Sequence, residues 1–266
     1  MSKTFSKTVL AAATMAAMAL AASPAIANHI PGATITGVQF GVNPTAVGES
    51  QSSFQALAIN FNYTATVNQT SAGAFTESGL ATFSTFNNPF NTPLSASMTG
   101  LNQGPGSTGY NLYATFTAAG TTTPNSGGGI NGVFNAFNIS FFADPLRDTT
   151  TTSGTTPGGN LGDDVLVATG TLQAGGFHVF PGLANGDFAV RVSSNPTNGF
   201  FSNIPVMDIT GVNTSITGVT AQGGFENATI LGSGNVQAIP EPETYALMMA
   251  GLGAVGFIAR RRKKTA

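Results

Sequence analysis

Residues 57–67 read LAINFNYTATV, and apolar side chains alternate with polar ones along most of this stretch. The odd positions hold leucine, isoleucine, phenylalanine, tyrosine, alanine and valine, while asparagine and threonine fill all but one of the even positions. Successive side chains of a β-strand point to opposite faces, so this alternation predicts a strand with one buried face and one polar face.

Further strand signals follow along the chain and are separated by turn-forming residues. Residues 110–118, YNLYATFTA, repeat the alternation, and the other predicted strands are 133–143, 165–172, 188–192, 209–219 and 225–231. Residues 121–129 and 149–162 are rich in Gly, Thr and Pro and predict long loops. Many short strands joined by such turns predict an all-β, antiparallel β-sandwich or barrel-like domain, assigned to residues 28–235.

The N-terminus has the composition of a secretory signal peptide, residues 1–27. Lys3 and Lys7 precede an apolar run, and Ala25-Ile26-Ala27 fits the small-x-small pattern at which signal peptidase cleaves. The apolar run is too short for a membrane-spanning helix, which needs about 20 residues. We therefore expect transport through the secretion translocon and a mature chain that starts at Asn28.

The C-terminus, residues 240–264, combines three features in a fixed order. Pro240-Glu241-Pro242 comes first, an apolar run follows, and the block Arg260-Arg261-Arg262-Lys263-Lys264 ends it. The apolar run predicts a short transmembrane helix, and the basic block should hold its C-terminal end in the cytoplasm. Both ends of the chain thus predict the same orientation, with the mature domain outside the inner membrane.

This tripartite tail resembles the PEP-CTERM sorting signal. The resemblance implies that a membrane-embedded exosortase recognises Pro240, Glu241 and Pro242 and cleaves nearby. The inner membrane is then only a transient location. The expected destination is the cell surface or extracellular matrix of a Gram-negative bacterium.

Charge and cysteine content exclude several classes of function. Between residues 28 and 239 two basic residues stand against nine acidic ones, which gives this part a net charge of −7. Nucleic-acid binding relies on Lys and Arg to neutralise phosphates, so this composition argues against it. The chain has no cysteine, so neither disulfides nor thiol chemistry are available. No GxSxG or HExxH motif is present, and we expect no catalytic residues and no enzymatic activity.

Acidic residues beside one predicted loop are the candidate ligand site. Asp144 and Asp148 precede the loop, and Asp163 and Asp164 follow it, so four carboxylates are expected to converge. Carboxylates on irregular loops suit calcium, which accepts six to eight oxygen ligands. Local Asx-turns and an ion pair with Arg147 explain the same residues equally well. A carboxylate pair can also serve glycoside hydrolysis, although nothing in the sequence places two across a cleft.

The body of the chain is similar to the flocculation-associated PEP-CTERM protein family. The similarity lies in short motifs in the expected order: FGVNP at 40–44, SFQA at 53–56, YNLYATF at 110–116, FADP at 142–145, DTT at 148–150, DVLVA at 164–168, GDF at 186–188 and FF at 200–201. It implies a non-enzymatic protein that holds cells together in flocs or biofilm through extracellular polysaccharide. The alternative is a calcium- or glycan-binding surface adhesin module.

Overall fold

The computed structural model describes residues 39–71, 73–88, 90, 92–103, 108–124, 129–151, 154–180, 183–194, 199–203, 206–219, 225–239 and 251–252. The elements of this part are strands, one 3₁₀ helix and a short α-helix. In chain order they are β1 (Phe40–Val42), the 3₁₀ helix (Pro44–Val47), β2 (Phe54–Ala56), β3 (Ala58–Ser71), β4 (Ala74–Asn87), α1 (Ala96–Thr99), β5 (Asn111–Pro124), β6 (Ile130–Asp144), β7 (Thr149–Thr150), β8 (Gly158–Gly159), β9 (Val165–Phe180), β10 (Leu183–Ser194), β11 (Phe201–Ser202), β12 (Val206–Val219) and β13 (Phe225–Ile239).

Eight of the described strands form one antiparallel sheet that closes into a barrel. The order around the barrel is β10, β12, β13, β3, β4, β5, β6 and β9, and β9 pairs with β10 to complete the ring. The predicted all-β, antiparallel class is confirmed, and each predicted strand coincides with one of these elements, except that Leu57 and Tyr110 lie one residue before β3 and β5. Both predicted loops were wrong in part. β5 runs to Pro124, which pairs with Ile130 of β6, so only 125–129 connect them, and the predicted loop 149–162 contains β7 and β8.

The inner face of β3 consists of the odd positions that the alternation predicted to be buried. Ile59, Phe61, Ala65 and Val67 are all buried. Aromatic rings continue this core around the barrel. Phe61 lies 5.9 Å from Phe83 of β4 between ring centroids, a distance typical of attractive ring pairs. Burial of the inner faces therefore stabilises the closed sheet.

Large and small side chains alternate between neighbouring strands inside the barrel. A methyl group built on Gly79 of β4 would lie 2.2 Å from the ring of Phe116 on β5. A methyl group on Gly232 of β13 would lie 2.4 Å from the ring of Tyr63 on β3. Each glycine thus leaves the space that a ring from the adjacent strand fills, as is common in small barrels.

One end of the barrel carries the long connections, and we call it the loop end. It is formed by the first residues of β3, β5, β9 and β12 and by the last residues of β4, β6, β10 and β13. A three-stranded sheet in the order β11, β1, β2 packs there. Phe54 of β2 contacts Phe86 of β4 at 5.1 Å between ring centroids, and Tyr110 contacts Phe200 at 5.4 Å. The three-stranded sheet therefore extends the hydrophobic core beyond the barrel strands.

The chain divides into two compact units, Pro31–Ile239 and a second one formed by Met1–Ile30 with Pro240–Ala266. In the second unit the structure describes Gly251 and Leu252, which are helical. The predicted signal peptide with Ala25 and Ala27, the Pro240-Glu241-Pro242 motif and the basic residues 260–264 lie outside the described residues. Among those described, no helix is both long enough and apolar enough to cross a membrane.

Candidate functional site

The four aspartates named from the sequence lie on the connection between β6 and β9, at the loop end. Asp144 is the last residue of β6, and Val165, directly after Asp164, opens β9. Between them β7 and β8 form a two-residue ribbon in which Thr149 pairs with Gly159. This ribbon folds the connection back on itself, so that both ends of the predicted loop meet.

Asp144 is fully buried and is held by backbone amides. Its Oδ1 accepts a hydrogen bond of 2.5 Å from the N–H of Arg147, and its Oδ2 accepts one of 3.1 Å from the N–H of Thr149. Arg147 adopts a positive φ of 58°, which turns the chain around the carboxylate. This is the local Asx-type turn that the sequence left open as an alternative, and it makes Asp144 a structural anchor.

Opposing effects act on the protonation of Asp144. Burial is the largest and raises the pKa of its carboxyl above the ordinary value. Hydrogen bonds from the backbone of Thr149 and Arg147 lower the pKa, because they favour the charged form. The neighbouring Asp164 raises it again by repulsion between like charges. A cation placed among these groups would relieve that repulsion.

The carboxylate of Asp164 accepts hydrogen bonds from hydroxyl groups on two elements. The Tyr113 hydroxyl on β5 donates to its Oδ2 at 2.5 Å, and the Thr149 hydroxyl lies 3.0 and 3.1 Å from its two oxygens. Burial, followed by the hydrogen bond to Asp164, raises the pKa of Tyr113. These hydroxyl bonds fix the start of β9 against β5.

Asp148 and Asp163 are joined by one amide. The Nδ2 of Asn160 donates to Asp148 Oδ2 at 3.2 Å and to Asp163 Oδ1 at 2.9 Å. The other oxygen of Asp163, Oδ2, is buried and meets no hydrogen-bond donor in the described part of the chain. A buried carboxylate oxygen without a donor is costly, and a bound cation is one partner that would remove this cost.

Three of the four aspartates have the spacing of a cation site. One carboxylate oxygen each from Asp144, Asp148 and Asp163 lies within 4.8 Å of the other two. Oxygens bound to one calcium ion at 2.3–2.6 Å from it are separated by at most about 5 Å, so the three atoms can share an ion. Asp164 is not part of this trio, because Tyr113 and Thr149 hold its oxygens. Sequence reasoning did not assign Tyr113, Thr149 or Asn160 to the site, although Tyr113 and Thr149 lie in the motifs at 110–116 and 148–150.

Comparison with known proteins gives one result, at the C-terminus. Residues 238–263 match the PEP-CTERM protein-sorting motif. The match begins within β13, where Ala238 still pairs with Met207 of β12, and it includes Pro240-Glu241-Pro242 and most of the basic block. The chain carries the motif of an exported protein that exosortase processes at the C-terminus. No curated protein and no solved structure matches the chain.

Proposed function

We propose that this chain is a non-enzymatic protein of the Gram-negative cell surface or extracellular matrix that promotes flocculation or biofilm formation together with exopolysaccharide. The sorting motif at residues 238–263 is the observation that carries the proposal, because it indicates export, and an exported barrel would be placed where cells and polysaccharide meet. The similarity of the body to flocculation-associated PEP-CTERM proteins supports the role.

The outer surface of the barrel supports contact with polysaccharide. Asn62 on β3, Thr117 on β5 and Asn138 on β6 are exposed, and such amide and hydroxyl groups bond sugar hydroxyls as both donors and acceptors. The exported part contains two basic residues, so its binding should depend on hydrogen bonds and not on attraction to anionic groups.

A non-enzymatic role agrees with the state of the buried aspartate. A general acid or base must reach the proton that it transfers. Asp144 has no exposed surface, and backbone N–H groups of Arg147 and Thr149 occupy its oxygens. We therefore assign Asp144 to holding the loop and propose no catalytic residue.

The proposed route begins with the secretion translocon and signal peptidase and passes transiently through the inner membrane to exosortase. The test combines intact mass and flocculation in strains that carry Pro240→Ala with Pro242→Ala, and the matched control is Glu243→Ala, directly after Pro240-Glu241-Pro242. Wild type and control should yield a form that starts at Asn28, ends near Pro240 and restores flocs to a deletion strain. The motif variant should retain residues 243–266 and fail to restore them. Unchanged flocculation after deletion of the gene would refute the role.

A second candidate function is that of a calcium-binding surface adhesin module, and the arrangement of Asp144, Asp148 and Asp163 favours it. Each carboxylate places an oxygen within reach of one ion, and Asp163 Oδ2 has no donor among the described residues. Millimolar calcium should raise the melting temperature of the wild type and of a control, Asp208→Asn on β12. The shift should be small or absent in Asp163→Asn. Equal shifts in all three proteins would place the bound calcium elsewhere.

A further inference from the structure

A polar cavity lies at the loop end, next to the three-stranded sheet, and is separate in its lining from the aspartates. Its volume is about 440 Å³, within the range of about 300–1,000 Å³ that small-molecule sites occupy. Consecutive polar residues 50–53 line one side, and Ser97 and Met98 of α1 line the other. Phe54 completes the lining and is itself almost fully buried, with 7% of its surface exposed.

Local hydrogen bonds hold both walls in place. On one side the Ser53 hydroxyl donates to Asn43 Oδ1 at 3.1 Å, which fixes the segment that leads into β2. Across the cavity, α1 is capped by Gly100, whose φ is 78° and whose N–H donates to the carbonyl of Ala96 at 2.8 Å. The N–H of Tyr110 in turn donates to the carbonyl of Gly100 at 2.9 Å. The cavity is therefore formed by anchored segments.

The chemistry of the lining selects the class of ligand. Serine hydroxyls and the Gln51 amide both donate and accept hydrogen bonds, and no lining residue carries a charge. The exposed Met98 adds an apolar surface beside the polar wall. A neutral sugar presents hydroxyls around its edge and C–H groups on its faces, so it matches this lining. A phosphate or carboxylate ligand would meet no cation there.

Two buried polar atoms close to this wall still need partners. Gln51 uses its Nε2 on the Thr108 hydroxyl at 3.3 Å, while its Oε1 is buried without a donor in the described part of the chain. The hydroxyl of Tyr110 is also buried without a hydrogen-bond partner in the described part of the chain, and Tyr110 has no exposed surface. Both side chains pack around Gly100: a methyl group there would lie 2.8 Å from Gln51 Oε1 and 3.2 Å from the Tyr110 ring. Gln51 also lines the cavity, so a ligand hydroxyl that reached its Oε1 would supply the donor that this oxygen lacks.

We infer that this cavity binds a neutral sugar unit of the extracellular polysaccharide. The inference rests on the proposed function for the identity of the polymer, but the site itself is defined by residues 50–54 and α1. Ser97 is exposed and lies on the cavity wall, so Ser97→Leu should fill the space without removing a buried contact. Gln51→Met keeps the length of the side chain and removes both the Oε1 acceptor and the Nε2 donor that bonds Thr108.

The experiment titrates the full-length protein with short oligosaccharides made by partial hydrolysis of the producing strain's exopolysaccharide and separated into neutral and acidic fractions. Calorimetry should show binding of the neutral fraction by the wild type. The control is Thr121→Leu, an exposed position near the opposite end of β5, and it should bind equally. Ser97→Leu and Gln51→Met should each weaken binding about ten-fold or more, because a site built to hydrogen-bond a ligand discriminates strongly when those bonds are lost.

Thermal melting of each variant separates lost binding from lost folding. Equal binding by Ser97→Leu, binding of the acidic fraction alone, or no binding by the wild type would overturn the inference. Flocculation distinguishes it from the proposed function. If Ser97→Leu binds the neutral fraction like the wild type and deletion of the gene abolishes flocs, sugar binding in the cavity is refuted and the role in flocculation is retained. If Ser97→Leu loses binding of the neutral fraction but the deletion strain still flocculates, the role in flocculation is refuted and the sugar site is retained.

Discussion

Glu77 is an acidic residue on the inner face of the barrel, and its ionisation should make stability depend on pH. It lies on β4 between Val67 of β3 and Ala118 of β5, both of which are buried. Burial raises the pKa of Glu77 from its ordinary 4.5 to about 7. Tyr63 of β3 is close enough for the Glu77 charge to contribute to its own raised pKa, after the larger effect of burial.

The sign and size of the effect follow from proton binding in the two states. The folded protein keeps Glu77 protonated up to about pH 7, whereas the unfolded chain ionises it above about pH 4.5. The folded state therefore binds more protons in this window, and the free energy of unfolding falls as the pH rises. At 1.36 kcal/mol for each pKa unit, the loss is about 3 kcal/mol, complete above about pH 7 and absent below about pH 4.5.

The Glu77→Gln variant isolates this contribution, because its side chain stays neutral. At about pH 8 it should be more stable than the wild type by up to about 3 kcal/mol, and at about pH 4 the two should differ little. The measurement is guanidinium unfolding followed by far-ultraviolet circular dichroism. Glu49 and Asp144, whose pKa values burial also raises, are present in both proteins and cancel in the comparison. A stability difference that is the same at both pH values would refute the reasoning.

Three further changes test the barrel, the loop and the export signal. Gly79→Ala should destabilise the protein by about 1–3 kcal/mol, because its methyl group would also lie 2.8 Å from the carbonyl oxygen of Thr64; an unchanged guanidinium midpoint would contradict the alternation of large and small residues. Tyr113→Phe should cost about 1–3 kcal/mol by removing the shorter of the two hydroxyl bonds to Asp164 Oδ2, which then keeps only the Thr149 hydroxyl, and an unchanged melting curve would show that the bond is dispensable. Replacing Ala25 and Ala27 by leucine should block signal peptidase, so that intact mass shows residues 1–27 retained; a mature form starting at Asn28 would place the recognition elsewhere.

Among the long barrel strands, β3 was predicted from its apolar inner face and β4 was missed, although the two strands are neighbours. β3 was recognisable because Ile59, Phe61, Ala65 and Val67 follow one another at spacings of two or four positions and all are buried. β4 was not predicted, because Glu77 and Gly79 interrupt the same alternation on its inner face. The reason for Gly79 is the ring of Phe116 on a different strand, and a pattern confined to one segment does not contain that information.

The sequence identified the aspartates of the candidate site but not the role of each one. Four carboxylates flanking one loop were expected to converge, and three of them do. The fourth, Asp164, is held by Tyr113, a residue 51 positions earlier in the sequence, through the pairing of β5, β6 and β9. Contacts between residues so far apart depend on the closed register of the barrel, which local spacing does not reveal.

Energetics explain why the barrel was easier to predict than its loop end. Each buried Phe or Ile side chain contributes about 1.5–3 kcal/mol, so the inner faces carry a strong and regular requirement for apolar residues. A hydrogen bond such as that between Asn160 and Asp163 contributes a net of only about 0.5–1.5 kcal/mol, and Ser, Thr or Asn can replace one another in many such contacts. The loop end is thus weakly constrained in sequence. It is also where Asp163 Oδ2, Gln51 Oε1 and the Tyr110 hydroxyl are buried without partners among the described residues, which is why both proposed ligands are assigned to this end and none to the barrel interior.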